Sequence, residues 1–155
     1  MLSKLLGIFS NRNQHEVFSI GYQGRNIEEF IDILKKNRIA VLIDTRNSGF
    51  SRKPNFSRHT LRKIVEKEGI KFVAVPDAGA PKDLRNYLKN TGKIYNFFTM
   101  YKKHIIENKY FDELSAHING ERTCLMCFER NPYECHRLVL SDMIHENMNT
   151  HVIHL

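Results

Sequence analysis

The stretch Cys124–Leu140, CLMCFERNPYECHRLVL, decides how this chain folds. It opens as a continuous apolar run with no polar alternation, the pattern of a strand buried on both faces of a parallel sheet. The run stops abruptly. Glu129, Arg130, Asn131-Pro132, Cys135, His136 and Arg137 follow within nine residues. Val139, Leu140, Met143 and Ile144 then recur at helical spacing. Asn131 reads as a helix N-cap, Pro132 as the first helical residue and Glu134 as the return partner of a capping box. The unit is therefore strand, polar turn, helix, with ionisable and nucleophilic groups at the junction.

The same alternation runs outward along the chain. Val17–Ile20, Ile39–Asp44, Ile70–Val75 and the terminal THVIHL read as further strands. NIEEFIDILKKN, with Asn26 as cap, and TLRKIVEKEG, stopped by Gly69, read as helices. A longer helical region spans about residues 83–117, with Ile94, Phe97, Phe98, Tyr101 and Ile105 on one face as core. Strands alternating with helices predict an α/β fold: a mostly parallel sheet of about five strands with helices on both faces. Residues 16–155 read as one domain, preceded by an arm over residues 1–15.

In such a sheet, ligands bind in the crevice at the carboxyl ends of the strands. The residues that follow each strand are therefore the candidates: Gly21 and Tyr22, Asp44 and Arg46, Gly79, and the group from Cys127 to Arg137. Cys127 is placed as a nucleophile, because a strand-to-helix turn beside arginines lowers a thiol's pKa. Asp44 and Glu129 are placed as general acid/base groups and His136 as a proton shuttle. Arg46, Arg130 and Arg137 are placed as anion holders at a helix N-terminus. Cys135 lies on the rim. Cys124 and Arg130 match the Cys-x5-Arg spacing of phosphatases, but the intervening residues are strand-like and lack the small residues a phosphate loop needs. Cys124 and Cys127 point to opposite faces of a strand, so together they do not chelate, and no metal site or cofactor is read.

A second basic element, TRNSGFSRKPNFSRHTLRK (residues 45–63), carries six cations and no carboxylate. Arg52, Lys53, Arg58 and Arg62, with Phe50 and Phe56 interleaved, suit phosphate contact and base stacking. The chain has 155 residues, a formal net charge of +7 and three cysteines. The charge points to an anionic small molecule or nucleic acid as partner. An odd cysteine count, with two in one apolar run, is a poor disulfide framework and fits a reducing cytoplasm. No stretch approaches the length of a membrane span, and nothing in the sequence sets an oligomeric state.

SIGYQGRNIEEFIDIL, LIDTRNSGFSRKPNFS, GIKFVAVPDAGAP and CLMCFERNPYECHR together resemble the DUF488 family, over roughly Val17 to Leu155. The resemblance implies a Rossmann-like three-layer domain. It places Asp44, Arg46, Cys127, Glu129, Cys135, His136 and Arg137 on the family's motif positions. The expected function is an enzyme or ligand-binding domain acting on a phosphate-bearing substrate, most simply a nucleotide or nucleic acid. A non-enzymatic nucleic-acid-binding module built on residues 46–63 and a thiol-based redox or sensor protein are the alternatives.

Overall fold

A computed structural model describes residues 16–155; the arm read over residues 1–15 lies outside them. The described chain forms β1 (Val17–Gly21), α1 (Ile27–Lys36), β2 (Val41–Asp44), α2 (Arg58–Lys67), β3 (Lys71–Ala74), α3 (Lys82–Thr91), α4 (Ile94–Glu107), α5 (Tyr110–Ala116), β4 (Thr123–Cys127), α6 (Arg137–Met148) and β5 (Val152–His154). The five strands make one sheet in the order β3-β2-β4-β1-β5, every pairing parallel. The fold is three-layer α/β.

Strand periodicity sorts the core into two faces. Phe18, Ile20, Leu42, Cys124 and Met126 point to one side, where Phe30 and Leu34 of α1 and Leu61 and Val65 of α2 cover them. Val17, Val41, Ile43 and Leu125 point to the other, under Phe97, Tyr101 and Ile105 of α4 and Leu140 and Ile144 of α6. The aromatic stripe of α4 is thus core. The helical region read over residues 83–117 is three helices, broken first at Gly92, whose φ of 68° ends α3 in the left-handed region.

The connections from β1 and β2 cross on the α1–α2 face, and those from β3 and β4 on the other. Strand β4 therefore lies between two neighbours whose chains leave toward the opposite layer. A crevice opens where the connections diverge, above the carboxyl end of β4. Register brings the strand ends level: Gly21 pairs with Cys127 and Asp44 with Met126.

One local expectation is overturned. No helix begins at Asn131. Its side chain accepts from the Tyr133 amide and caps only a single 3-10 turn, Pro132–Glu134. Cys135 then extends, at φ −131° and ψ 143°, and α6 starts at Arg137. The cause is burial. The extended step turns Cys135 and His136 inward, to 1% and 6% exposure, where a continuous helix would carry them past the crevice.

Candidate active site

The crevice is a cavity of about 990 Å³. Cys127, Glu129 and His136 stand in its wall, with Tyr22 and Arg46 beside them. Strand β4 delivers Cys127, the extended step before α6 delivers Cys135 and His136, and the tip of β2 holds the histidine. His136 Nε2 lies 3.1 Å from the Thr45 carbonyl oxygen, and Thr45 Oγ1 in turn donates to the Met126 carbonyl at 2.9 Å. His136 Nδ1 faces two sulfurs, Cys127 Sγ at 3.7 Å and Cys135 Sγ at 3.8 Å. Glu129 Oε2 is 3.4 Å from Cys127 Sγ.

These groups set one another's charge. A hydrogen bond from the Cys135 thiol and the nearby His136 charge hold Cys127 well below the ordinary thiol range, against the opposing effect of burial. Burial alone would lower His136, but the Cys127 thiolate outweighs it and raises the imidazole. Burial and then the Cys127 charge push Glu129 up from the usual carboxylate range. Burial and the same charge push Cys135 up. The four shifts share one centre: negative charge on the Cys127 sulfur favours the charged form of His136 and the protonated forms of Cys135 and Glu129.

Two expected anion holders are structural instead. Arg137 is fully buried. Its guanidinium donates to the Glu129 carbonyl at 2.6 Å, the Arg130 carbonyl at 3.2 Å and Ser19 Oγ at 3.1 Å. It clamps the loop that carries Cys127 and Glu129 and lies outside the cavity lining. Arg46 donates to both Asp44 oxygens, to Tyr22 Oη and to the Phe56 carbonyl. Arg130 is exposed and lies outside the cavity lining, its amide bound to Gln23.

Asp44 is likewise spent. One oxygen accepts from the Arg46 amide and Nε, the other from Arg46 Nη2 and Arg58 Nε. A fully buried carboxylate bonded four times by arginines anchors the strand end; it has no free lone pair with which to take a proton from a substrate. Of the two carboxylates read as acid/base groups, the cavity contains Glu129 alone.

The basic segment divides in the same way. Arg58 is bound to Asp44 and to the Arg46 carbonyl. Arg62 lies over the Phe72 ring, 3.6 Å from Glu66. Arg52 and Lys53 line the cavity. Of the two interleaved aromatics, Phe56 is core, stacked on Tyr22 at 4.4 Å, and Phe50 is 72% exposed at the cavity mouth. Lys82, Arg85 and Lys89 of α3 line the same cavity as Arg52 and Lys53, a contribution the sequence reading missed. Their spacing of three and four residues, one face of a helix, was the available signal.

Two glycines are required by close backbone approach. A Cβ on Gly21 would stand 1.8 Å from the Glu129 carbonyl oxygen, and one on Gly79 would stand 2.1 Å from the Asn47 nitrogen. Both rim positions let neighbouring loops pack directly on the strand ends.

Cys124 is buried in the α1–α2 layer, its thiol pushed far up by burial, so the phosphatase-like spacing has no chemical counterpart. All three cysteines are free. Among the described residues no helix is long and apolar enough to cross a membrane. Cys127, Cys135 and His136 do form a group whose ligand atoms lie within 4.8 Å of one another, which the strand argument against chelation did not anticipate.

The family model for Domain of unknown function DUF488 matches residues 26–144, and the chain belongs to that family. No curated protein matches the chain. No solved structure matches it either.

Proposed function

We propose that this DUF488 protein is an enzyme acting on a phosphate-bearing substrate, most simply a nucleotide or the exposed end of a nucleic acid. The observation that carries the reading is the convergence of Cys127, Glu129 and His136 in the wall of a cavity that Arg52, Lys53, Lys82, Arg85 and Lys89 also line. Among the described residues none of these five cations makes a salt bridge. Five cations face two carboxylates, Glu129 and Glu134, in that lining. Such an excess concentrates anions in the cavity.

The cavity matches the upper range of small-molecule sites, about 300–1,000 Å³, and is large enough for a nucleotide. Phosphates would lie among these cations. Phe50 offers a flat face for a base, and the substrate's reacting atom would reach the Cys127–Glu129–His136 centre. Glu129, its proton affinity raised by burial in the cavity wall, is the group suited to hand a proton to a leaving atom. Arg58 and Arg62 are tied into the fold, which takes half of the cations from the purely nucleic-acid-binding alternative. The redox alternative keeps one observation in its favour, the approach of the Cys135 and Cys127 sulfurs to within 4.8 Å.

The test is a thermal-shift screen with nucleoside mono- and diphosphates, short oligonucleotides and phosphosugars. A ligand at about 100 times its Kd stabilises the folded state by about 2.7 kcal/mol. In a domain of this size that raises Tm by roughly 5–10 °C. The Lys82→Glu/Arg85→Glu/Lys89→Glu variant should keep its own Tm and lose the shift. Equal shifts in parent and variant, or none in the parent with any phosphate compound, would overturn the reading.

A further inference from the structure

We infer that Cys127, Cys135 and His136 bind a single zinc-like transition-metal ion, with its fourth coordination position open to the cavity. This rests on the reading of the Cys127–Glu129–His136 group as the reaction centre and names what the centre holds.

The donor set comes first. Two sulfurs and one imidazole nitrogen are the borderline-soft ligands that select zinc over hard cations. All three side chains are buried, at 5%, 1% and 6% exposure, so the atoms converge in the interior rather than meeting by chance in solvent. The spacing is the second observation. Ligand atoms about 2.0–2.3 Å from a tetrahedral zinc stand roughly 3.5–3.8 Å from one another. His136 Nδ1 lies 3.7 Å from Cys127 Sγ and 3.8 Å from Cys135 Sγ.

The third observation is orientation. His136 Nε2 faces the Thr45 carbonyl oxygen at 3.1 Å, so that nitrogen carries the hydrogen. In the neutral ring that a metal requires, Nδ1 is then left with a lone pair directed at the two sulfurs. A ligating histidine whose other nitrogen donates to a carbonyl is the usual outer-shell arrangement of a metal site. Thr45 is itself fixed by its bond to the Met126 carbonyl, so the ring is held from the sheet.

Three protein ligands and an open position describe a catalytic rather than a structural zinc. Cys127 and His136 stand in the cavity wall, while Cys135 lies outside the lining, so the fourth position faces the cavity. Glu129, its Oε2 3.4 Å from Cys127 Sγ, stands beside that position. A water there would be acidified by the ion to near neutrality. Its proton passes to the Glu129 carboxylate, the hydroxide attacks the substrate's electrophilic atom, and the bond to the leaving group breaks. The leaving group takes the proton back from Glu129, so the net reaction consumes one water and produces the hydroxylated product and the protonated leaving group. In this role Cys127 is a ligand, not the attacking group.

The experiment uses the full chain, purified under a phosphine reductant, stripped with a chelator and reconstituted with zinc sulfate. Elemental analysis should find about one zinc per chain in the parent and less than about a tenth of that in Cys135→Ser and His136→Gln. Cobalt chloride should give the parent an intense thiolate-to-cobalt charge-transfer band with tetrahedral ligand-field absorption, lost in both variants. Cys135→Ser is the discriminating change, because a nucleophile at Cys127 does not need a second sulfur as ligand. Parent protein that takes up no zinc or cobalt, with Cys127 alkylated by iodoacetamide equally fast with and without zinc, overturns the site, a result that requires no variant to fold. Stoichiometric zinc with no stabilisation by phosphate compounds leaves the metal site standing and removes the substrate reading instead.

Discussion

Replacing Arg137 with alanine tests the most consequential reassignment in this structure. As an anion holder, Arg137 would be dispensable to the fold. Its actual position makes it a clamp: fully buried, donating to the Glu129 and Arg130 carbonyls and to Ser19 Oγ. Hydrogen bonds from a charged donor are worth about 1.5–3 kcal/mol each. The two carbonyls are only partly buried and regain some water on truncation, so the low end applies to them. The Ser19 bond is buried, and the lost side chain leaves a void. Removing one partner of a buried charged network costs about 3–5 kcal/mol. Against a total stability of about 5–15 kcal/mol this is a large fraction. At roughly 2–4 °C per kcal/mol for a domain of this size, Tm should fall by about 10–15 °C. Arg137→Lys should recover only part of this, because an ammonium cannot span two carbonyls and a hydroxyl as a planar fork does. The assay is urea unfolding followed by circular dichroism, with Tm by calorimetry. An alanine variant melting within about 1 °C of the parent, and losing its response to phosphate ligands, would refute the clamp and return Arg137 to the ligand.

Gly21→Ala should destabilise the protein by about 3 kcal/mol or more, since its Cβ would meet a backbone oxygen that cannot step aside; equilibrium urea unfolding measures it, and a silent substitution would contradict the packing of the Glu129 loop on β1. In chelator-treated protein, iodoacetamide should label Cys127 at pH 6 nearly as fast as at pH 8, while Cys124 and Cys135 stay unlabelled; peptide mass mapping that shows labelling rising only above about pH 8.5 would remove the thiolate. Charge reversal at Lys82, Arg85 and Lys89 should weaken nucleotide or oligonucleotide binding at least about tenfold at low salt and flatten its salt dependence, read by fluorescence anisotropy across a salt series. Burial and then Arg137 depress His154, whose Nδ1 lies 2.6 Å from Ser19 Oγ. Because its folded pKa lies below its unfolded value, its contribution to stability is present above about pH 6.5 and is lost as pH falls through the folded value. Tm measured from pH 7.5 to 5 should therefore decline more steeply in the parent than in His154→Gln.

Local pattern was sufficient for the elements. An uninterrupted apolar run such as Cys124–Cys127 is stable only where both faces are covered, so the sequence alone determined a parallel sheet with helices on either side, and with it a site at the strand ends. The bounds of α1, down to its Asn26–Glu29 capping box, follow from rules that act within four residues. The start of α6 did not, because the signal at Asn131–Glu134 is local while the force that breaks the helix, burial of Cys135 and His136 against β2 and β4, is not. The same distinction governs the charges. Asp44, Arg46, Arg58 and Arg137 look available in the sequence, since an ionisable residue after a strand says nothing about what already binds it. Only the tertiary structure decided that these four are bound to one another or to backbone carbonyls. The groups left facing the cavity are Cys127, Glu129 and His136, with cations from residues 52–53 and from α3. The meeting of Cys127 with Cys135 and His136 depended on one extended residue after a single 3-10 turn. That geometry arises when the chain packs, because a 3.7 Å approach between side chains nine positions apart is fixed by the walls around them and not by their spacing in the chain.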